Sequence, residues 1–207
     1  MNKLVEPTHD EFLKRVKGFK LNVHKDDGVY RHIEMRHPDH FYGSFNIITW
    51  PGHLAYSGDM GDYVFERHTD MFSFFRRNKP EETGINPGYW SEKLQAVDKH
   101  TGAYEYSTKI FDEKIEDDFN SYWEFESPEE KKRSWEEIEW DLLGKPETQE
   151  SAYNLGCNYE CPITGQTFVD FWETNLMDYT YHYLFCCRAI PWAINEYDKW
   201  RKLDEIN

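Results

Sequence analysis

The apolar positions of this chain switch between helical spacing and strict alternation, and each switch marks an element. Thr8-His9-Asp10-Glu11 has the form of a capping box, in which the Thr8 hydroxyl accepts from the Glu11 amide and Glu11 reaches back. Phe12, Val16 and Phe19 then share a face, which predicts an opening helix. Asp26-Asp27-Gly28 reads as a turn. From there to Arg67 the period is two, predicting strands over 30–36, 42–50, 53–56 and 63–67, all rich in β-branched and aromatic residues. Pro51-Gly52 and Gly58-Asp59-Met60-Gly61-Asp62 punctuate them. Strands joined by so few residues pair antiparallel, giving a meander of three to four strands.

Beyond the meander the spacing turns helical. Thr69 or Asp70 is placed to cap a helix over 71–77, and Asn86-Pro87-Gly88 breaks the chain before a second helix over 89–100 carrying Trp90, Leu94 and Val97. Ser107 is the candidate cap of an acidic helix running to Phe125. Ser127-Pro128-Glu129-Glu130 is a complete start signal, with a cap, Pro at the first helical position and Glu at the third. The helix it opens carries Trp135, Ile138 and Leu142 on one stripe and ends at Gly144-Lys145-Pro146. A loop holding Cys157 and Cys161 is expected next, then helices over 168–178 and 181–204, the second broken or kinked at Pro191. With no internal repeat or low-complexity linker, the chain reads as one α+β domain over 1–207. It has a sheet-containing half, 1–107, and a mainly helical acidic half, 108–207: an antiparallel β-meander packed with several helices.

Composition narrows the class. Fourteen Phe, fourteen Tyr and eight Trp supply much of the apolar surface, and Tyr and Trp favour half-buried positions because one end of the ring needs a polar partner. Mean hydropathy is −0.88, and no apolar run approaches the roughly 20 residues that span a bilayer. The first residues lack the hydrophobic core of a secretion signal. A cytoplasmic protein with no membrane partner is expected. Cys157, Cys161, Cys186 and Cys187 are then expected to be reduced and structural, because the Cys157-x-x-x-Cys161 spacing has no second pair to complete a zinc set. No metal or cofactor is expected.

Charge changes the picture most. The chain carries a net −15, and residues 112–150 alone hold fifteen Asp/Glu against five Lys/Arg. A helix macrodipole accounts for Glu129 and Glu130 at a helix start. It does not account for Glu116, Asp117 and Asp118 on the first acidic helix, or for Glu136, Glu137, Glu139 and Asp141 on the second. Few bases stand four residues on to compensate them. Two readings stay open: a solvated outer face, or a surface whose spaced carboxylates imitate a phosphate path and enter a basic groove, with Trp135 and Trp140 as anchors. Direct binding to duplex DNA is not expected, because the basic words are short and long-range repulsion opposes approach.

Candidate chemistry is sparse. His53, Asp59, Asp62 and His68 bracket one hairpin, and two carboxylates with imidazoles suit Mg²⁺- or Mn²⁺-assisted hydrolysis. Asp beside Gly58 and Gly61 is equally a routine turn former. His37-Pro38-Asp39-His40 reads as a solvated turn. Nucleophile elbows, phosphate-binding glycine loops and His-Glu-x-x-His are absent from the sequence.

The run Thr49-Trp50-Pro51-Gly52-His53-Leu54-Ala55-Tyr56-Ser57-Gly58-Asp59-Met60-Gly61-Asp62-Tyr63-Val64-Phe65-Glu66-Arg67 is followed by Asp70-Met71-Phe72-Ser73-Phe74-Phe75-Arg76. With Ile85-Asn86-Pro87-Gly88-Tyr89-Trp90 and Tyr104-Glu105-Tyr106-Ser107 it resembles an uncharacterised family of phage- and prophage-encoded accessory proteins, over about residues 28–110. The resemblance implies a phage or mobile-element context and carries over no catalytic residue. Joined to the charge pattern, it leads to the expectation of a non-enzymatic inhibitor of a host nucleic-acid-processing defence complex, anti-CRISPR or anti-restriction, in the cytoplasm of a bacterial host cell. The partner would be a defence protein or ribonucleoprotein complex with a basic groove. The alternatives are a metal-dependent hydrolase or nucleotide-handling enzyme using His53, Asp59, Asp62 and His68, and a nucleotide sponge with an aromatic pocket.

Overall fold

Strict alternation in the N-terminal half produces an antiparallel sheet in chain order. Its strands are β1 (Lys20–Asp27), β2 (Tyr30–His37), β3 (His40–Trp50), β4 (His53–Gly58), β5 (Gly61–Glu66) and β6 (Leu94–Val97). One cross-strand row, Val23–Ile33–Ile47–Tyr56–Tyr63–Val97, runs across all six. Its four central members are buried with Met35, Phe45, Leu54 and Phe65, so a single face of the meander supplies half of a core. The computed structural model describes residues 7–77 and 84–204 and gathers the chain into two units. Met1–Ala103 joins Tyr179–Asn207 in the first, and Tyr104–Asp178 forms the second.

In the first unit, α1 (His9–Arg15), α2 (Met71–Phe75) and α7 (Tyr181–Asp204) pack on and beside the sheet. The Thr8/Glu11 capping box forms as the sequence predicts, and Asp70 rather than Thr69 caps α2. The helix expected over 89–100 is instead a single turn, α3 (Pro87–Ser91), capped by Asn86, and then edge strand β6. Pairing with β5 outweighs the helical spacing of Trp90 and Leu94, which are half-buried at the edge of the core all the same. Strand β1 is unannounced because only Leu21 and Val23 alternate in it. Helix α7 runs unbroken through Pro191. That residue withholds one amide from the ladder, but Ala189, Ile190, Ala193 and Ile194 around it are wholly buried, and packing prevails.

The second unit has its own core of Phe111, Ile115, Phe119, Ile138, Leu142, Ala152, Phe168, Phe171 and Leu176. Its helices are α4 (Thr108–Tyr122), α5 (Pro128–Asp141) and α6 (Gln149–Asn158). Ser107, Ser127 and Thr148 cap them by accepting the Ile110, Glu130 and Ser151 amides. Strands β7 (Tyr104–Tyr106) and β8 (Met177–Tyr179) pair where the chain enters and leaves. Residues 149–158, expected as loop, are α6. Residues 168–178, expected as helix, hold a 3₁₀ turn, Phe171–Glu173, and then β8. Asp170 explains the second difference, since its left-handed φ of 51° cannot continue a helix. Gly156 explains how α6 packs, because a Cβ there would stand 2.4 Å from the Phe171 ring.

The acidic half expected from 108 onward is therefore redrawn, with the last helix belonging to the sheet unit. No helix among the described residues is long and apolar enough to cross a membrane.

Candidate functional site

Charge follows the division into units. Tyr104–Asp178 holds twenty Asp/Glu and six Lys/Arg, a net −14, so the rest of the chain is left with −1. Seventy-five residues carry nearly all of the imbalance of 207.

On α5 the inward face is Ser134 and Ile138, continued by Leu142, which places Glu136, Glu139 and Trp140 together on the outer face at i, i+3 and i+4. Glu136, Glu137, Glu139 and Asp141 crowd the helix's C-terminal half, and no base stands in its last turn. Carboxylates at that end face the negative pole of the helix dipole, the wrong place for stability. On α4, Glu113, Glu116 and Asp117 share an exposed face with Asn120. Own-chain neutralisation is thin. Lys132 stands 3.9 Å from Glu136 and Lys109 3.5 Å from Glu113, both exposed pairs. Among the described residues no ion pair reaches Glu116, Asp117, Glu137, Glu139 or Asp141. Their field is felt inside: burial, then Cys161, Asp141 and Glu137, hold the Tyr159 hydroxyl well above its usual range.

Two of the expected contact residues are corrected. Asp118 is 5% exposed and pairs with Lys114 at 2.5 Å, so it is a buried ion of the core, not a carboxylate offered outward. Trp135 is half-buried, its ring 5.0 Å from that of Phe119, and it serves the core. Both follow from the helix phase that buries Ile115 and Ile138. Trp140 is 74% exposed, with the Lys145 ammonium 5.3 Å from its ring centre.

Beside α4 lies a groove of about 810 Å³ that the sequence does not announce. Tyr122, Trp123, Phe168 and Val169 line it, with the Lys114–Asp118 pair and Glu173 supplying charge. Gln166 fixes its wall: the Glu124 amide donates to Oε1 at 2.9 Å, and Nε2 donates to the Glu124 carbonyl at 2.8 Å. Tyr153 on α6 ties the far side by donating to the Thr174 carbonyl at 2.7 Å. Tyr122 and Val169 remain largely exposed. Thus an apolar slot borders an acidic surface, as in interfaces where hydrophobic anchors sit within charged rims. The one sequence signal for it is the Tyr122-Trp123 pair at the polar end of α4.

The hydrolytic cluster does not assemble, which corrects the hairpin expectation. Register pairs His53 with Glu66 at one end of β4–β5 and Ser57 with Asp62 at the other, so His53 and Asp62 lie at opposite ends of the hairpin. His53 stacks on Trp50 with ring centres 5.0 Å apart. Asp59 accepts the Gly43 amide at 2.9 Å, and His68 meets the Phe74 ring edge-on. No group of three or more His, Cys, Asp or Glu with metal-holding geometry occurs among the described residues. His37 and His40 stack on each other at 4.2 Å in their turn. Compared with known proteins, the chain matches no family model, no curated protein and no solved structure.

Proposed function

We propose that this protein is a non-enzymatic binding protein whose second unit docks on a basic groove of a partner that handles nucleic acid. The observation that carries the reading is the confinement of −14 of the net −15 to Tyr104–Asp178, with carboxylates massed at the end of α5, where they oppose helix stability. A face that only had to be soluble gains nothing from that placement. A face selected for long-range attraction does, because summed potential steers encounter and raises association rates. Glu116 and Asp117 on α4 and Glu136, Glu137, Glu139 and Asp141 on α5 form the charged part, and Trp140 is the anchor that complements it. The phage-family resemblance favours a host defence complex as the partner, an anti-CRISPR or anti-restriction role within the host cytoplasm.

The test is a binding and nuclease-inhibition assay of the full chain against CRISPR effector and restriction complexes. The triple variant Glu136→Lys, Glu139→Lys and Asp141→Lys is run in parallel. Inhibition that weakens steeply with salt and is lost in the variant supports the proposal. Unchanged affinity in the correctly folded variant rejects it.

A further inference from the structure

We propose that the groove beside α4 is a pocket for an arginine side chain, carried on a short exposed segment of the basic partner. Resting on the docking role proposed above, this pocket supplies a residue contact that charge alone does not specify.

The groove belongs wholly to the second unit, and its volume of about 810 Å³ falls within the range of ligand sites. Trp123 and Phe168 are buried and form its floor, their ring centres 5.1 Å apart. Tyr122 and Val169, 77% and 78% exposed, stand at its rim. This much aromatic and apolar surface suits an organic body, and three further features set the charge that body should carry.

The first is the balance of the lining. Lys114 faces Asp118, Asp170 and Glu173, a formal −2. Lys114 is already engaged by Asp118 at 2.5 Å. Asp170 and Glu173 are exposed, and among the described residues no ion pair reaches either. The Asp170 side chain does not cap the turn that follows it. The second feature is the end of α4. Tyr122 is the last residue of that 15-residue helix, and no base stands in its last turn. Trp123 leaves in extended conformation, φ −84° and ψ 138°, and the Glu124 amide turns away to Gln166. The negative pole of the helix, where the last carbonyls lack intrahelical partners, therefore lies at the groove. The third is the surrounding field, since the unit carries −14 of the net −15.

Arginine answers all three better than lysine. Its planar guanidinium is weakly hydrated, lies against aromatic faces such as that of Tyr122, and forks onto carboxylates such as Asp170 and Glu173. The lysine ammonium is compact and strongly hydrated and has no flat face to offer. A groove of this volume holds more than one side chain, so an apolar neighbour on the partner segment would pack against Val169.

The experiment needs no partner. An acetylated, amidated Leu-Arg-Leu tripeptide is titrated into the full chain at about 0.15 M salt, which screens diffuse attraction to the acidic surface. Leu-Lys-Leu and Leu-citrulline-Leu serve as controls of equal and of absent charge. Calorimetry and the Trp123 indole resonance in NMR read the binding. The arginine peptide is expected to bind about tenfold tighter than either control and to move the Trp123 signal. Asp170→Asn combined with Glu173→Gln should weaken it about tenfold, and Tyr122→Leu about threefold. All three positions are exposed, and Asn also tolerates the left-handed φ at 170. The α5 variant Glu136→Lys, Glu139→Lys and Asp141→Lys should keep the parent's peptide affinity within about twofold, because none of the three lines the groove. The pocket is overturned by equal affinity for the lysine peptide, by a Trp123 signal that stays in place, by groove variants that bind like the parent, or by an equal loss in the α5 variant. The two readings fail separately. Peptide binding as described, with no nuclease complex inhibited, removes the docking role and keeps the pocket. Inhibition that depends on α5, with no peptide bound, keeps the docking role and removes the pocket.

Discussion

The Arg31 guanidinium grips the Asp70 carboxylate through two contacts, Nη1 to Oδ1 at 2.8 Å and Nη2 to Oδ2 at 3.2 Å, from a position that is only 7% exposed. The Phe72 ring lies against the same guanidinium at 4.7 Å, and the Phe72 amide donates to Asp70 Oδ1 at 2.9 Å. One carboxylate thereby joins strand β2 to helix α2.

Burial alone would push the Asp70 carboxyl up, but the hydrogen bonds and charge of Arg31, with the Phe72 amide, leave it below its ordinary value of 3.8. A depressed folded pKa means stability present above pH 3.8 and lost as pH falls through the lower folded value. Asp70→Asn should cost about 2 kcal/mol at neutral pH, less than a fully buried pair because Asp70 is partly exposed. Urea unfolding across pH 2–7 checks this, about the range over which carboxylates titrate. The variant should lose part of the parent's acid-limb slope, and an identical slope would count against the linkage.

Gly156 and Phe171 make a second pair whose geometry is strict. An added Cβ would lie 2.4, 2.5 and 2.8 Å from three ring carbons, closer than real contacts permit. Gly156→Ala should therefore destabilise the second unit by about 2–3 kcal/mol through overpacking. Hydrogen exchange of the full chain locates the effect: faster exchange is expected in α6 and α4, with the β2–β5 amides unchanged. Uniform acceleration over both units would contradict the separate cores.

Charge reversal at the end of α5 makes an opposite prediction. Glu136→Lys, Glu139→Lys and Asp141→Lys put bases where the helix dipole favours them and lower the unit's self-repulsion. The triple variant should gain roughly 1 kcal/mol in stability at low salt while losing partner affinity. A denaturant titration measures the first effect. A variant that is less stable than the parent would show that these carboxylates serve the fold.

The four thiols should separate by access. Cys157 is exposed, whereas Cys161, Cys186 and Cys187 are buried. Burial, chiefly, pushes Cys187 up to about 12 and Cys186 well above its ordinary range. Native alkylation followed by mass spectrometry should find one rapidly modified site, Cys157, and three that react only on unfolding. Fast labelling of Cys186 or Cys187 would mean that α7 opens from the sheet.

Much of this architecture is legible in local chemistry. The Thr8, Ser107 and Ser127 caps, the Gly144 stop and the β2–β5 alternation each rest on short-range rules that the folded chain obeys. What escapes is decided at long range. Strand β6 exists because β5 offers it an edge, and α6 is hidden because Gly156 and polar residues dilute its apolar stripe. For the site, the phase of α4 and α5 would have separated Asp118 and Trp135 from their exposed neighbours, since both fall next to buried isoleucine positions. The groove rests on the Gln166 clamp and the Asp170 turn, whose geometry no spacing rule reports. Position along the chain also misled at the hairpin, where nearness in sequence put His53 and Asp62 at opposite ends of paired strands.

The sheet unit closes over its own cut ends. The Thr180 amide donates to the Ala103 carbonyl at 3.0 Å, and the Gly102 carbonyl accepts from both the Thr180 and Tyr63 hydroxyls. Whatever is spliced between those neighbours reaches the scaffold as a loop anchored at one spot, so a different cargo could be grafted there without rebuilding the host.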